Sequence, residues 1–322
     1  METKKKLFLV DAYALIFRGY YAFIKNPRIN SKGVDTSAIM GFTNSLFDVI
    51  KRENPDYIAV CFDKGGSHDR TKIFKEYKAN RDETPEAIKI AVPYIEKILK
   101  SLNIATVVKE GYEADDIIGT IAKKAKQKNL KTYMVTPDKD FAQLVEKDIY
   151  MYRPVFGGGY ETWGIDEVLK KFEINKTSQV IDFLAMKGDS VDNIPGLPGV
   201  GDKTAKKFIS EFGSLEGLFE NTDQLKGKIK EKVEQNKELG ILSKKLATII
   251  TDVPLNFKIE DFKLSVHELE ETKNLFDDLE FRRLSNSLNS IFSTSQETIE
   301  KKIDSKNNGQ FDLFANTERE TI

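Results

Sequence analysis

The stretch Gly111-Tyr112-Glu113-Ala114-Asp115-Asp116-Ile117-Ile118 places three carboxylates within four residues at the predicted start of a helix. From Ala114 the apolar residues recur at helical spacing as far as Ala125, which predicts a single buried stripe. Acidic side chains in the first turn of a helix gain about 0.3–1 kcal/mol each from the helix macrodipole. The stretch alone therefore has a purely structural explanation, unless other acidic side chains reach the same place.

Short apolar runs elsewhere in the chain predict buried strands, and acidic residues follow each of them. The predicted strands, each with the acids that follow it, are residues 7–10 with Asp11, residues 57–62 with Asp63, residues 104–108 with Glu113, Asp115 and Asp116, and residues 131–136 with Asp138 and Asp140. Helical patterns between the strands predict an α/β fold with a parallel sheet. Ligand sites in such sheets lie beyond the carboxyl ends of the strands, so we expect these acids at one edge. Helix dipoles cannot explain such a gathering.

Composition limits the possible classes of protein. The chain has 322 residues, of which 40% are hydrophobic and 31% charged, as is typical of a globular protein with one large domain or two ordinary ones. One cysteine, Cys61, excludes an internal disulfide and cysteine-based zinc patterns, and it suits a reducing compartment. Because no apolar run is long enough for a signal peptide or a membrane span, we expect a cytoplasmic protein without a membrane partner.

Residues 67–81 form a basic segment in which five basic side chains stand against two acidic ones. It contains the aromatic residues Phe74 and Tyr77 and lies between the second and third predicted strands. A basic segment is more often a solvated face than a binding site, and both interpretations stay open here. Thr84 as the N-cap and Pro85 at the first position then predict the start of a helix that runs to about residue 102.

The pattern changes after Tyr150, where Gly157-Gly158-Gly159 predicts a hairpin and the chain then becomes mainly helical, so we place a domain boundary near residue 175. Residues 196–201 have the glycine spacing of an ATP-binding loop. Asp202 stands where that loop requires lysine, and no strand precedes it, which excludes the loop. The free amides of such a turn before a helix can bind a phosphate, although an ordinary turn between helices fits equally well.

Residues 293–322 are polar and without pattern, which predicts a disordered tail or linker. Residues 310–314, Gln-Phe-Asp-Leu-Phe, interrupt it with three large apolar side chains. Such a peptide can dock into a groove of a partner protein, and chance hydrophobicity in a linker explains it equally well.

The acids indicate a class of chemistry. With His68 and His267 as the only histidines, a histidine zinc site or a serine triad is hard to build. Many oxygen ligands favour Mg²⁺ or Mn²⁺, and two such ions roughly 3.5–4 Å apart suit phosphodiester hydrolysis. Asp189 and Asp192 could complete a second site, and Lys78 and Arg81 could supply cations to the scissile phosphate.

In this order and spacing the motifs resemble the 5′ nuclease domain of bacterial DNA polymerase I, over about residues 5–290. The segments that carry the resemblance are Val10-Asp11, Phe62-Asp63, Glu113-Ala114-Asp115-Asp116, Asp138-Lys139-Asp140, Met186-Lys187-Gly188-Asp189-Ser190-Val191-Asp192-Asn193-Ile194-Pro195-Gly196 and Pro198-Gly199-Val200-Gly201. Two positions depart from the family's pattern: Pro137 replaces a usual glycine, and Asp69 replaces the usual aromatic residue before Arg70. Both departures concern local loop geometry.

The resemblance implies a resolvase-like or PIN-like nuclease domain over residues 1–175, with a mostly parallel sheet, flanking helices and a helical arch at about 67–102. A helical, duplex-binding region of helix-three-turn-helix type would span residues 176–290, with its hairpin turn at 196–208. The implied ligands of the first metal ion are Asp11, Asp63, Glu113, Asp115 and Asp116, and those of the second are Asp138, Asp140, Asp189 and Asp192.

The resemblance also implies further roles. Lys78, Arg81 and Asp116 would act in catalysis. The implied DNA contacts are Arg70, Tyr77, Lys78 and Arg81 in the arch, and Gly199, Gly201, Lys203 and Lys206 around a turn, residues 196–203, that holds K⁺ in the family. Gln310, Leu313 and Phe314 resemble a peptide that binds the sliding clamp.

The implied activity is that of a monomeric, nucleoid-associated 5′ to 3′ exonuclease and flap endonuclease that uses two Mg²⁺ or Mn²⁺ ions. Its substrates would be DNA with a 5′ flap, nick or 5′ end, including RNA primers, in replication and excision repair. The chain would be either the N-terminal part of a polymerase or a free-standing nuclease. Two other classes stay open, a DNA-binding module with an inactive centre and a small ribonuclease of the toxin type.

Overall fold

The computed structural model describes residues 4–155, 157–265 and 268–292, so the predicted tail with Gln310, Leu313 and Phe314 lies outside it. Within these residues six strands form one sheet in the order β3-β2-β1-β4-β5-β6. The strands are β1 (Lys6–Asp11), β2 (Tyr57–Phe62), β3 (Ala105–Val108), β4 (Lys131–Val135), β5 (Ile149–Pro154) and β6 (Tyr160–Trp163). Neighbouring strands are parallel except β5 and β6, which are antiparallel and form the predicted hairpin.

Helices flank the sheet and make up most of the second half of the described chain. They are α1 (Ala12–Phe23), α2 (Ser37–Glu53), α3 (His68–Ile73), α4 (Glu86–Ser101), α5 (Ala114–Lys126), α6 (Ile165–Phe172), α7 (Gln179–Lys187), α8 (Asp202–Phe212), α9 (Leu215–Glu220), α10 (Gly227–Gln235), α11 (Lys237–Ala247) and α12 (Glu270–Asp278), and residues 282–292 are also helical. Short 3-10 segments span Lys139–Leu144, Thr222–Gln224 and Ile259–Phe262.

The register of the central strands places the acids at one edge of the sheet. Val10 of β1 pairs with Val60 of β2 and with Val135 of β4, so the three strands end at the same level. Residues 7–10 are fully buried, and each large apolar side chain withdrawn from water in this way contributes roughly 1.5–3 kcal/mol. The apolar sequence of β1 therefore fixes where Asp11 emerges, and the prediction of a parallel sheet with acids at its carboxyl edge is confirmed.

The predicted arch of residues 67–102 contains a helix that belongs to the core. Helix α4 buries Ile88, Ala91 and Ile95 in the cluster that also contains α1 and α2. Only the segment before it, with α3 and residues 74–85, stands outside this packing. The predicted cap is also off by one residue, because Pro85 takes the N-cap position of α4, and Thr84 precedes it.

The predicted helical region of residues 176–290 is likewise not one unit. Its last part returns to the first domain, where the ring of Phe47 lies 6.0 Å from that of Phe276 and 5.6 Å from that of Phe292. The hydroxyl groups of Ser101 and Thr272 are 2.8 Å apart on the same face. The helical packing around the glycine-rich turn therefore ends before α12.

No helix in the described ranges combines the length and the apolar composition needed to cross a membrane.

Candidate active site

Eight of the nine predicted metal ligands form an acidic edge at the carboxyl ends of the strands. We define this acidic edge as Asp11, Asp63, Glu113, Asp115, Asp138, Asp140, Asp189 and Asp192. Their charges act on one another: those of Asp63 and Asp138 raise the pKa of Asp11, and that of Glu113 raises the pKa of Asp63. The charges of Asp189 and Asp192 raise the pKa values of Asp138 and Asp140.

Backbone amides and one hydroxyl group fix the inner carboxylates. Asp11 caps α1, since its Oδ1 accepts a hydrogen bond from the Ala14 amide at 3.1 Å, and its Oδ2 accepts one from the Thr136 hydroxyl at 3.1 Å. Asp63 Oδ1 accepts a hydrogen bond from the Ala114 amide at 3.0 Å, which ties the end of β2 to the start of α5. These bonds orient the carboxylates before any ligand binds.

The pKa values of several of these acids are raised, so their ionised forms are disfavoured. Burial, and after it the charge of Asp63, raise the pKa of Asp11 from its ordinary value of 3.8 to about 7. Burial and the charge of Asp138 raise the pKa of Asp140 from 3.8 to about 8. The pKa values of Asp63, Asp115 and Asp138 are raised too, in each case chiefly by burial. Withdrawal from water and mutual repulsion both disfavour the ionised form, and a cation would relieve both.

Basic side chains pair with three of the acids. The Lys78 ammonium lies 2.5 Å from Glu113 Oε1, and Arg81 donates to Asp192 Oδ1 at 2.6 Å. Lys139 reaches Asp189 at 3.4 Å. Lys78 also lies 3.7 Å from Asp192, so its charge is shared between the two sides of the acidic edge.

The residues present fit divalent cations. Among the described residues, no three acidic, histidine or cysteine side chains converge into a ready-made metal site, and the protein's own cations pair with Glu113 and Asp192. Oδ1 of Asp140 is buried and has no hydrogen-bond partner within the described chain, as expected of an atom meant for another ligand. An all-oxygen donor set of this charge matches Mg²⁺ or Mn²⁺.

A tight loop brings Asp189 and Asp192 to the acidic edge. Gly188 and Gly196 close the loop with positive φ angles of 75° and 66°, and a Cβ at Gly188 would stand 2.6 Å from the Ile194 carbonyl oxygen. The Lys78 amide donates to the Asp192 carbonyl at 2.9 Å. The segment with Lys78 and Arg81 is therefore docked on the loop that supplies the outer acids.

Asp116, predicted as a metal ligand and catalytic residue, does not join the other acids. It is fully buried, and its two oxygen atoms each accept a 2.8 Å hydrogen bond from Arg70. The Ile250 amide donates to Asp116 Oδ1 at 2.8 Å. These contacts give Asp116 a structural role, and its roles as a metal ligand and in catalysis stay predictions, because the oxygen atoms of Glu113 are bound in a similar way by Arg70, Tyr77 and Lys78.

The same contacts contradict the predicted DNA-binding role of Arg70. Its side chain is 5% exposed, and its remaining donors bind Glu113 and the carbonyl oxygens of Leu246 and Thr248. The neighbouring Tyr77 is buried as well and donates its hydroxyl hydrogen to Glu113 at 3.0 Å. Lys78 and Arg81 are the predicted arch residues that bring partly exposed charged groups to the acidic edge.

The glycine-rich turn lies at the amino end of α8. Gly199 and Gly201 are exposed, Gly201 is the N-cap of α8, and Lys203 is exposed beside it. Lys206 is turned toward Glu173, at 2.9 Å, and toward Asp202, at 3.3 Å. Its ammonium is therefore engaged within the protein.

Lys232 of α10 is a residue that the sequence did not single out. A Cβ on Gly199, whose φ is +85°, would stand 2.9 Å from the Lys232 ammonium nitrogen. This ammonium brings a positive charge to the place where the resemblance implied K⁺, and it opposes a second cation beside Gly199. No local pattern marks Lys232, since it stands 33 positions after Gly199 in the sequence. The hydrogen bond of Thr136 to Asp11 also had no signal in the sequence.

Two family models match the chain. The model described as "5'-3' exonuclease, N-terminal resolvase-like domain" matches residues 6–173, and the one described as "5'-3' exonuclease, C-terminal SAM fold" matches residues 175–270. DNA polymerase I of Caldicellulosiruptor bescii is 35% identical over 303 residues, which cover 93% of this chain and 35% of that protein. The 5'-3' exonuclease of Aquifex aeolicus is 34% identical over 293 residues, which cover 91% of this chain and 98% of that protein.

The chain thus spans about a third of the length of this DNA polymerase I relative. Among solved structures, bacteriophage T5 5'-exonuclease with bound zinc ions has a TM-score of 0.63 at 23% identity, with 77% of this chain and 90% of that chain covered. The catalytic core of Rad2 in complex with DNA has a TM-score of 0.59 at 17% identity, with 85% and 88% covered. These two likenesses show the fold. From the models that match both of its halves, the chain belongs to the 5'-3' exonuclease family, with the resolvase-like domain followed by the SAM-fold domain.

Proposed function

We propose that this chain is a structure-specific, divalent-metal-dependent 5′ to 3′ exonuclease and 5′ flap endonuclease that hydrolyses phosphodiester bonds in DNA. The observation that carries the proposal is the acidic edge itself. Burial and neighbouring charges raise the pKa values of five of its eight carboxylates, and the basic side chains of Lys78 and Arg81 pair with Glu113 and Asp192. Ionisation of so many neighbouring carboxylates is unfavourable unless cations bind among them, and cations in this place can bind a phosphate.

The residues divide into two ligand groups. Asp11, Asp63, Glu113 and Asp115 would hold one divalent ion, and Asp138, Asp140, Asp189 and Asp192 would hold a second. Bound divalent ions supply an activated water and stabilise the negative charge that develops on a phosphodiester during in-line attack. The protein's own share of the work is to hold these carboxylates in place, through the Thr136 hydroxyl and the backbone amides described above.

Lys78 and Arg81 are suited to bind the scissile phosphate. Burial lowers the pKa of Lys78, but the charges of Glu113 and Asp192 outweigh it and leave the pKa above its usual value, so the ammonium keeps its proton. When a phosphate enters, these cations would exchange a carboxylate partner for a phosphate oxygen. Preorganised positive groups of this kind stabilise the charge that develops during the reaction.

The turn around Gly199 and Gly201, with Lys203 and Lys232 beside it, would bind the backbone of a DNA duplex. Exposed amides at the start of α8 and two ammonium groups present donors and positive charge without any means of reading bases. Lys206 would contribute less, because it is paired with Glu173 and Asp202. Binding should therefore depend on salt and hardly on sequence.

The names of the relatives support these substrates. One solved structure of the bacteriophage T5 flap endonuclease, with a TM-score of 0.61, is a complex with DNA and metal ions. We further propose roles in primer removal during replication and in excision repair, as a monomer. A polymerase domain could follow in the same protein, and a sliding clamp could bind through residues 310–314.

The test is cleavage of a DNA duplex with a labelled 5′ flap, in Mg²⁺, with mapping of the products. The proposal expects cuts at or next to the junction, no preference for sequence and no cleavage with EDTA. Replacement of the exposed Asp166 on α6 by alanine should leave the products unchanged. Preferential cleavage of single-stranded RNA would favour the toxin-type ribonuclease, and tight flap binding without any cleavage would favour an inactive binding module.

A further inference from the structure

Residues 246–253, which we call the strap, are the last two residues of α11 and the six that follow it, and they lie against side chains of the first domain. Most of the backbone groups at the start of the strap are bound by side chains from far away in the sequence. The Leu246 and Thr248 carbonyl oxygens accept hydrogen bonds from Arg70 at 3.0 and 2.8 Å. Gln143 binds two further residues of the strap. Its amide nitrogen donates to the Ala247 carbonyl at 3.0 Å, and its amide oxygen accepts a hydrogen bond from the Ile249 backbone amide at 2.9 Å.

Arg70 joins the strap to one ligand group. It makes five hydrogen bonds, as many as a guanidinium has N–H donors, and two of them go to strap carbonyls. The others hold Asp116 and the metal-ligand candidate Glu113. Asp116 in turn accepts a hydrogen bond from the strap amide of Ile250. Because both members of this ion pair are buried, the contact has one well-defined geometry.

Gln143 joins the strap to the other ligand group. It lies in the 3-10 segment Lys139–Leu144, three residues after Asp140, and its amide nitrogen also donates to the Asp140 carbonyl at 3.0 Å. A single side chain therefore fixes both the strap and the backbone of Asp140. The two ligand groups of the acidic edge are braced against the same eight residues of chain.

The strap is continuous with the part of the protein that carries the loop and the turn. On α11, the Ser243 hydroxyl accepts a hydrogen bond from the Gly196 amide at 2.9 Å, where the loop with Asp189 and Asp192 closes. Lys244 of α11 binds Asp182 of α7 at 2.6 Å. The helical region is thus connected through α11 to the strap, and through the strap to Glu113 and Asp140.

We propose that Gln143 and Arg70 are positioning residues that brace both metal-ligand groups of the acidic edge against the strap, so that the helical region sets the spacing of the ligands. This inference rests on the proposed function, because it takes the acidic edge to be the metal site. Neither residue touches a reacting atom. Both act through the carboxylates that they hold in place.

The test compares Gln143→Met and Gln143→Glu with Thr120→Val in the full chain. Thr120 of α5 accepts a hydrogen bond from the strap amide of Val253 at 3.1 Å, but makes no bond to either ligand group, so its variant is a matched control for loss of a strap contact. Gln143→Glu keeps an acceptor for the Ile249 amide and loses both donated hydrogen bonds. Gln143→Glu therefore still tests the proposal if Gln143→Met folds poorly.

The first measurement is the affinity for Mn²⁺ without DNA, by calorimetry or electron paramagnetic resonance. Residues that orient metal ligands typically change metal affinity or activity by about 10–100-fold when replaced. Both Gln143 variants should lose Mn²⁺ affinity and single-turnover rate in this range. Their affinity for a flap in Ca²⁺ should stay within about threefold of wild type, and Thr120→Val should change neither quantity beyond threefold.

Equal Mn²⁺ affinity in wild type and both Gln143 variants would overturn the proposal, whatever happens to the melting temperature. So would an equal loss of Mn²⁺ affinity in Thr120→Val, since that would mean that any weakening of the strap has the same effect. If the wild type binds Mn²⁺ but cuts no flap, the proposed function fails, while the Mn²⁺ comparison still decides the role of Gln143.

Discussion

Arg70 grips Asp116 with two parallel N–H···O bonds of 2.8 Å, in an interior where Arg70 is 5% exposed and Asp116 is fully buried. Removal of one partner strands a buried charge, which costs about 3–5 kcal/mol in the free energy of unfolding. We predict a loss of this size for Asp116→Ala, measured by urea unfolding. Asp48→Ala, which breaks the exposed pair with Arg52 on α2, should cost less than about 1 kcal/mol. Equal effects of the two changes would contradict the structural role of Asp116.

The raised pKa values predict that the metal-free protein loses stability as the pH rises. The folded state binds a proton on Asp11 up to about pH 7 and on Asp140 up to about pH 8, whereas the unfolded chain releases both near 3.8. Their contribution is therefore complete below 3.8 and is lost progressively as the pH rises through 7 and 8. Melting temperatures with EDTA should fall across this window, and Mg²⁺ should flatten the profile. A profile that Mg²⁺ leaves unchanged would argue against a cation at the acidic edge.

Lys78 lies between the two sides of the acidic edge, and its loss should affect the chemical step. Removal of one preorganised group that stabilises developing charge costs roughly 10²–10³ in rate. We expect Lys78→Ala to lower the single-turnover rate of flap cleavage by this factor. Lys72→Ala, on the exposed face of α3, is the control and should stay within about threefold of wild type. A rate for Lys78→Ala as high as that of this control would remove Lys78 from the mechanism.

Lys232 should contribute one backbone contact to duplex binding. Loss of a lysine that neutralises a phosphate lowers the slope of the salt dependence by about one. We predict this change for Lys232→Ala in a titration of flap affinity against KCl, in Ca²⁺. Lys51→Ala, on the exposed end of α2, should leave the slope unaltered. An unchanged slope for Lys232→Ala would show that its ammonium does not meet the duplex.

The sequence predicted most of what the strands determine. The positions of Asp11 and Asp63 follow from fully apolar runs that must be buried in a parallel sheet, and the chain has no other place for the residue that follows such a run. The location of Asp189 and Asp192 at the acidic edge could be predicted only from the resemblance. Their loop belongs to the helical region, and no periodic pattern connects it to the sheet.

The differences between prediction and structure share one physical cause. The resemblance includes the helix of residues 86–101 in the arch, whereas the burial of this helix depends on α2 and on the returning residues 276–292. Asp116 was grouped with its neighbours Glu113 and Asp115. A first-turn position does not reveal that Arg70 and the strap meet it from the opposite side. Contacts between residues 70, 116, 143 and 246–250 have no local signature in the sequence.

The central claim is that the acidic edge binds divalent metal ions to cut DNA, and Asp140 tests it most directly, because its Oδ1 is buried without a hydrogen-bond partner among the described residues. The measurement is single-turnover cleavage of a 5′ flap in Mg²⁺ by Asp140→Asn, together with flap affinity in Ca²⁺. The account predicts that cleavage is abolished while the flap still binds within about threefold of wild type. Cleavage by Asp140→Asn at the wild-type rate would contradict it.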